Sequence, residues 1–163
     1  MRGAGLAEIE ALYRSRFDRF ATVACAVTGS QTAARDAVQD AFASAVRRRG
    51  QFRGEGSLEA WLWRAVVNEA RTQQRRRRSR ERLEERAAAL EPAADEPGDE
   101  PGAVDSFVAS LPERQRLVVF LRYYADLTHE QIADALGIRP GTVAATLNAA
   151  HARLRPLLAG ASG

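Results

Sequence analysis

Catalysis or metal binding would call on the two histidines, the single cysteine and the acidic residues of this chain, and their spacing suits neither role. His129 and His151 lie far apart in sequence, and neither has company at ligand spacing. No carboxylate pair or nucleophile–base set is visible along the chain. Cys25 has no second cysteine to bridge to and sits in an apolar helical pattern, which reads as a buried structural thiol. No catalytic residue, metal or cofactor is therefore expected. Recognition by non-covalent contact remains, and its clearest carrier is the stretch from Leu111 to Arg155. There Thr128 and Gln131 form a capping box for a short helix whose buried side is Ile132, Ala133, Ala135 and Leu136. Gly137 ends it with the Cβ-free residue that a tight turn needs, and Pro140 opens the next helix where a missing N–H costs nothing. Val143, Leu147, Ala150 and Leu154 make one stripe of that second helix. Its free side is Gly141, Ala145, Asn148 and Ala152, flanked by Thr142 and Ala149. Such a helix-turn-helix presents its free side to the DNA major groove. A small helical bundle without a DNA role is the alternative, and the capping box, Gly137 and Pro140 standing in register favour DNA.

The 163 residues, 45% apolar, make one ordinary domain or two small ones. No apolar run approaches the roughly 18 residues of a bilayer helix, and the first residues lack the apolar core of a signal peptide, so a cytoplasmic protein is expected. All 24 basic residues are arginines. Arginine's planar fork suits phosphate and base edges, although coding bias gives the same composition. Distribution says more. Residues 1–80 hold 16 Arg against 8 acids, residues 81–103 hold 2 against 8, and residues 104–163 hold 6 against 5. A basic first half of this kind points to a polyanionic partner.

The elements that must position these groups are helical throughout. Leu6, Ile9, Leu12, Tyr13, Phe17, Phe20, Val23, Ala24 and Val27 recur as one long amphipathic helix ending at Gly29. Ser30 or Thr32 caps a second, with the apolar face Ala33, Ala37, Val38, Ala41, Phe42, Ala45 and Val46, closed by Arg47–Arg49 and Gly50. After the loop QFRGEGS, Ser57 caps a third helix from Leu58 to about Arg78, on which Trp61 and Trp63 point in different directions. Arg75 to Arg78 sweep about 300° around it, so they do not share one face. Glu81 to Glu91 can continue as charged helix, and then EPAADEPGDEPGA reads as an extended acidic linker. Val104 to Ser110 is expected as a short helix, Pro112 starts the next, and Pro156 is expected to end or bend the last. The predicted fold is all-α: two small helical domains, residues 1–80 and 104–163, joined by a flexible acidic linker at 81–103, the second domain containing the helix-turn-helix. Their relative placement is left open.

Both lobes resemble a bacterial sigma factor of the extracytoplasmic-function type. The matching residues are DAVQDAF and FRGEGSLEAWLWRAVVNEA in the first lobe and LPERQRLVVFLRYYADLTHEQIADALGIRPGTV in the second, in the family's order. The resemblance implies a transcription initiation factor without enzymatic activity, whose first lobe is region two and whose second is region four. It implies core RNA polymerase and promoter DNA as partners, and an anti-sigma protein as a further one. Asp36, Gln39, Asp40 and Phe42 then correspond to the family surface that grips the polymerase. The loop Phe52–Ser57, including Arg53, with Trp61, Arg64, Asn68, Arg71 and Arg75, corresponds to the part that captures the unpaired minus-ten strand. Aromatic platforms and arginines suit a single strand, and a flipped base needs a loop pocket. Trp61 and Phe52 are equally readable as core.

The second lobe departs from the family pattern. Where a basic, hydroxyl-rich run follows GTV in the family, this chain has Ala144, Ala145, Thr146, Asn148, Ala149 and His151. Arg139, Thr142, Asn148, His151 and Arg153 remain as candidates around Ala145, with Asn148 suited to an adenine edge. A weak or unusual minus-thirty-five reader is the expectation. Two alternatives stand beside it: a polymerase-independent helix-turn-helix regulator, against which the tryptophan-bearing loop speaks, and a sigma-like interaction protein with weakened DNA reading.

Overall fold

A computed structural model describes residues 3–87 and 107–160, and all regular structure among them is helical. Helix α1 spans Leu6–Thr28. The Gly5 N–H donates to Glu8 Oε2 at 3.0 Å at its start, and left-handed Gly29, at φ 70°, returns its N–H to the Cys25 carbonyl at its end. Helix α2 spans Gln31–Arg47 and is capped by Ser30, whose Oγ accepts the Ala33 N–H. It buries Ala34, with Ala33 only half-buried, because two adjacent alanines offer no difference in size to mark the edge of the face. A short 3₁₀ turn, Arg49–Gln51, leads into the glycine loop.

Helix α3 spans Leu58–Ala87, capped by Ser57 Oγ on the Ala60 N–H at 3.0 Å. It runs past Arg78 because the following residues are mostly good helix formers and Glu81 pairs with Arg77 one turn back at 2.9 Å. No residue of α3 beyond Ala70 is buried, so its second half stands clear of the core. The first half closes a three-helix bundle around an aromatic cluster. Phe20 lies 4.1 Å from Trp63 and 5.1 Å from Phe42, ring centroid to centroid, and Tyr13 lies 5.1 Å from Phe42.

In the second half of the chain, residues 107–109 are helical and α4 spans Glu113–Val119 after Pro112. It continues as a π-helical turn over Phe120–Tyr124, and Asp126 takes φ 58° where the chain reverses. Helix α5 spans His129–Leu136 and α6 spans Pro140–Gly160. Pro156 does not end this helix, which runs on to Gly160. Pro156 removes only the N–H that would reach Ala152, and it does so at an exposed position, where the freed carbonyl is open to solvent. Of the stretch read as an acidic linker, 88–103 lies outside the described residues, as does the start of the expected Val104–Ser110 helix.

The two halves share one continuous apolar core that runs from Ile9, Phe20 and Trp63 to Leu117, Leu121, Ile132 and Val143. Arg116 ties the halves together. Its Nε donates to the Ala26 carbonyl of α1 at 3.0 Å and its Nη1 to the Ala109 carbonyl at 3.0 Å. Gln131 Nε2 of α5 donates to Ser57 Oγ at 3.3 Å, and Thr22 meets the Tyr124 hydroxyl at 3.4 Å. The relative placement that composition left open is therefore a packed one.

Candidate nucleic-acid interface

On α3, Trp61, Arg64, Asn68, Arg71 and Arg75 follow at spacings of three and four, which confines them to a strip about 80° wide. Arg64, Asn68 and Arg75 are exposed, whereas Trp61 and Arg71 are half-buried. Phe52, in the loop before the helix, brings its ring to 5.7 Å from that of Trp61 at 55°. Both are half-buried and pack against the core. The second tryptophan, Trp63, is fully buried. The loop reaches Trp61 because Gly54 and Gly56, at φ 76° and 82°, adopt left-handed backbone that a side chain would strain. Arg53 projects from it exposed.

Two members of this set have other commitments. Ser57 holds the start of α3 and receives Gln131 from α5. Arg71 faces Glu113 of α4 at 3.9 Å, a long and half-exposed pair. The second half of the chain thus leans on one edge of the strip, while Arg64, Asn68 and Arg75 stay open beside the aromatic pair.

Asp36, Gln39 and Asp40 stand exposed on α2, with Asp40 accepting a hydrogen bond from Gln73 at 3.3 Å. Phe42 does not share their face. It is buried against Phe20 and Tyr13, two residues on from Asp40 and so on a different side of the helix.

On α6 the free side is as the periodicity predicts. Gly141, Ala145, Asn148, Ala149 and Ala152 are exposed, Val143, Leu147 and Ala150 are buried, and Arg139 and Arg153 are exposed. Thr142 is half-buried, and its carbonyl accepts the Thr146 hydroxyl at 2.7 Å. His151 Nε2 lies 2.9 Å from the Tyr123 hydroxyl, so one ring nitrogen is engaged inside the protein. Asn148 is the exposed side chain on this face with both a donor and an acceptor to offer a base. The capping box predicted for α5 is formed: Thr128 N–H donates to Gln131 Oε1 at 2.8 Å, and Gln131 N–H to Thr128 Oγ1 at 3.2 Å. Glu130 has its carboxyl held below the ordinary range by its own backbone N–H and by the Thr128 hydroxyl.

Sequence reasoning missed Tyr123 and Arg122. Tyr123 is 61% exposed with the Arg122 guanidinium 6.0 Å from its ring, on the π turn beside His151. Two consecutive tyrosines on one helix cannot both face the core, and that was the available signal. Cys25 is half-buried in a cleft of about 840 Å³ between α1 and α4, where burial pushes its thiol up. Among the described residues no group of His, Cys, Asp or Glu is placed to hold a metal ion, and no helix is long and apolar enough to cross a membrane.

A helical protein with an aromatic, arginine-bordered loop in one half and a helix-turn-helix in the other has the parts of a nucleic-acid-binding factor. Residues 12–80 match the model of the family described as Sigma-70 region 2, and residues 102–154 match that of Sigma-70, region 4. The two matches together take in most of the chain, which belongs to the sigma-70 family. It is 32% identical over 126 residues to the ECF RNA polymerase sigma factor SigM of Mycobacterium tuberculosis, an alignment covering 76% of this chain. The alignment takes in 63% of SigM, so the chain spans less than two thirds of that relative's length. Among solved structures, the sigma factor RpoE of Bartonella quintana, crystallised with the anti-sigma factor NepR, superposes with a TM-score of 0.74 at 23% identity, covering 94% of this chain and 98% of that one. CnrH, in complex with the cytosolic domain of CnrY, superposes with a TM-score of 0.70 at 24% identity, covering 96% and 91%. These two likenesses show a common fold.

Proposed function

We propose that this chain is a transcription initiation factor that binds core RNA polymerase and directs it to promoters, acting in the cytoplasm by binding alone. The observation that carries the reading is the joint occurrence, in order on one chain, of a region-two match holding the Phe52/Trp61 pair and a region-four match holding the helix-turn-helix. In this reading Asp36, Gln39 and Asp40 meet the polymerase. Phe52 and Trp61 offer one half-open aromatic surface to an unpaired minus-ten base, and Arg53, Arg64, Asn68 and Arg75 border the strand. Phe42 serves beneath the polymerase-facing surface by holding α2 on the bundle. Arg139, just before α6, and Arg153 on it meet phosphate, and Asn148 meets an adenine edge. Domain boundaries near residues 80 and 104, with the acidic stretch between them as tether, belong to the same proposal. So does an anti-sigma partner, the kind of protein named with RpoE.

The alanine-rich surface of α6 favours a particular version of this reading, in which minus-thirty-five recognition is weak. Ala145, Ala149 and Ala152 supply neither donors nor acceptors where base contacts would fall. Transcription in vitro from a promoter panel, with core polymerase and with or without the chain, is the test. Initiation that depends on the chain is expected. Duplex binding without polymerase would favour a free-standing regulator, and polymerase binding without initiation would favour an interaction protein.

A further inference from the structure

The end of α2 carries three arginines that the reading above leaves unused, close in sequence to Arg53, which it places along the strand. Arg47, Arg48, Arg49 and Arg53 lie within seven residues, all exposed. No carboxylate of the described residues forms an ion pair with any of them. Arg49 spends one hydrogen bond, from Nη1 to the Val46 carbonyl at 3.1 Å. Four unneutralised guanidinium groups at one tip repel each other, a cost that an anion removes.

The tip is also shaped. Gly3, Ala4, Arg47, Arg49 and Gly50 line a recess of about 490 Å³. The N-terminal segment is pinned against it. Ala4 is buried and donates its N–H to the Arg49 carbonyl at 3.0 Å, and a Cβ on Gly3 would stand 2.7 Å from that same oxygen. The Arg49 carbonyl accepts the Phe52 N–H as well, at 3.3 Å. One backbone oxygen therefore joins the wall of the recess to the residue whose ring pairs with Trp61.

We propose that this recess, walled by Arg47 and Arg49 and flanked by Arg48 and Arg53, binds a backbone phosphate of the nucleic-acid strand captured at Phe52 and Trp61. It holds the strand without regard to sequence, while the aromatic pair receives the base. The inference rests on the strand-capture reading above for its partner. Attachment to the aromatic pair favours nucleic acid over an anionic membrane surface.

The test is a salt titration of the full chain against a short fluorescent single-stranded oligonucleotide, for the parent, Arg47→Ala/Arg49→Ala, Arg47→Lys/Arg49→Lys and Trp61→Ala. Each phosphate contact on a single strand contributes about 0.7 to the slope of log K against log salt. The alanine pair is expected to lower the slope by about 0.7, one such contact, and the lysine pair to restore most of it. Trp61→Ala is expected to weaken binding at every salt with the slope unchanged. An unchanged slope in the alanine pair, with its helical circular dichroism intact, overturns the recess. If that signal is lost, Arg47→Gln/Arg49→Gln carries the same expectation. Binding that ignores Trp61 while the alanine pair loses slope sinks strand capture and keeps the recess. Where the chain alone does not bind the oligonucleotide, the series is run with core polymerase bound, and no binding there overturns both. An alanine pair that loses affinity for phosphatidylserine vesicles but not for the oligonucleotide overturns the nucleic-acid assignment.

Discussion

Trp61 and Trp63 stand two residues apart and do different work. Trp63 is buried against Phe20 at the centre of the first bundle, whereas Trp61 lies over Phe52 with one side open. Trp63→Ala is expected to cost about 3–5 kcal/mol of folding stability, as large core truncations do. Trp61→Ala is expected to cost clearly less in a denaturant melt. Its main effect is expected on promoter opening, followed by fluorescence of a base analogue in the minus-ten strand, at about 1–3 kcal/mol for one lost stacking partner. Equal losses of stability in the two variants would make Trp61 a core residue and no more. On α6, Asn148→Ala is expected to flatten base preference at a single minus-thirty-five position by roughly 1–3 kcal/mol, read from binding to duplexes with each base substituted in turn. Unchanged preference at every position removes Asn148 as a reader. His151 is expected to matter less to base choice, since Tyr123 already engages its Nε2.

Helix α5 shows how a short element of eight residues is held in place by its ends. Thr128 and Gln131 satisfy each other's backbone N–H groups at one end, and Gly137, left-handed at φ 65°, turns the chain at the other. Thr128→Ala is expected to lower stability by about 1 kcal/mol and Gly137→Ala by about 1–2 kcal/mol, measured by thermal or denaturant unfolding. In the first turn, Glu130 has its folded-state pKa shifted down by its own backbone N–H and by Thr128. Its contribution is therefore full above the ordinary carboxylate range and is lost as pH falls through the lowered folded value. Glu130→Gln should flatten that part of the acid dependence of the melting temperature, and an unaltered acid limb would deny the residue this part. A negative charge there also faces the positive end of the helix dipole.

At the scale of the whole molecule, the packed halves meet a geometric demand. Under the proposed function one chain reads a minus-ten and a minus-thirty-five element, whose names set them about 25 base pairs apart, roughly 85 Å of B-form duplex at about 3.4 Å per step. A compact chain of this length has a radius of gyration near 15 Å. Reading both elements at once therefore requires the seam between α1, α3, α4 and α5 to open. Its weak points are the long Arg71–Glu113 pair and the single Gln131–Ser57 hydrogen bond, and its strongest polar tie is Arg116 on the Ala26 carbonyl. Arg116→Ala is expected to remove roughly 1.5–3 kcal/mol from that association. Small-angle scattering should then give a larger radius of gyration with helical content retained. A radius identical to the parent's would place the stability of the seam in its apolar contacts alone.

What the amino-acid sequence by itself determined is the set of features that depend on near neighbours. Gly29, Ser30, Ser57, Thr128 and Gly137 mark helix ends through groups three or four residues away, and the free side of α6 follows from spacing alone. The motifs that place the chain in the sigma-70 family are local in the same sense. Only the tertiary structure decided the rest. It gave Ser57 to Gln131, left Trp61 half-buried, and set Arg116 on a carbonyl ninety residues earlier in the chain. A helical period states which residues share a face but not which neighbour covers it. A polar side chain finds its partner only after distant segments have packed, because the free energy of that contact depends on water already being excluded from it.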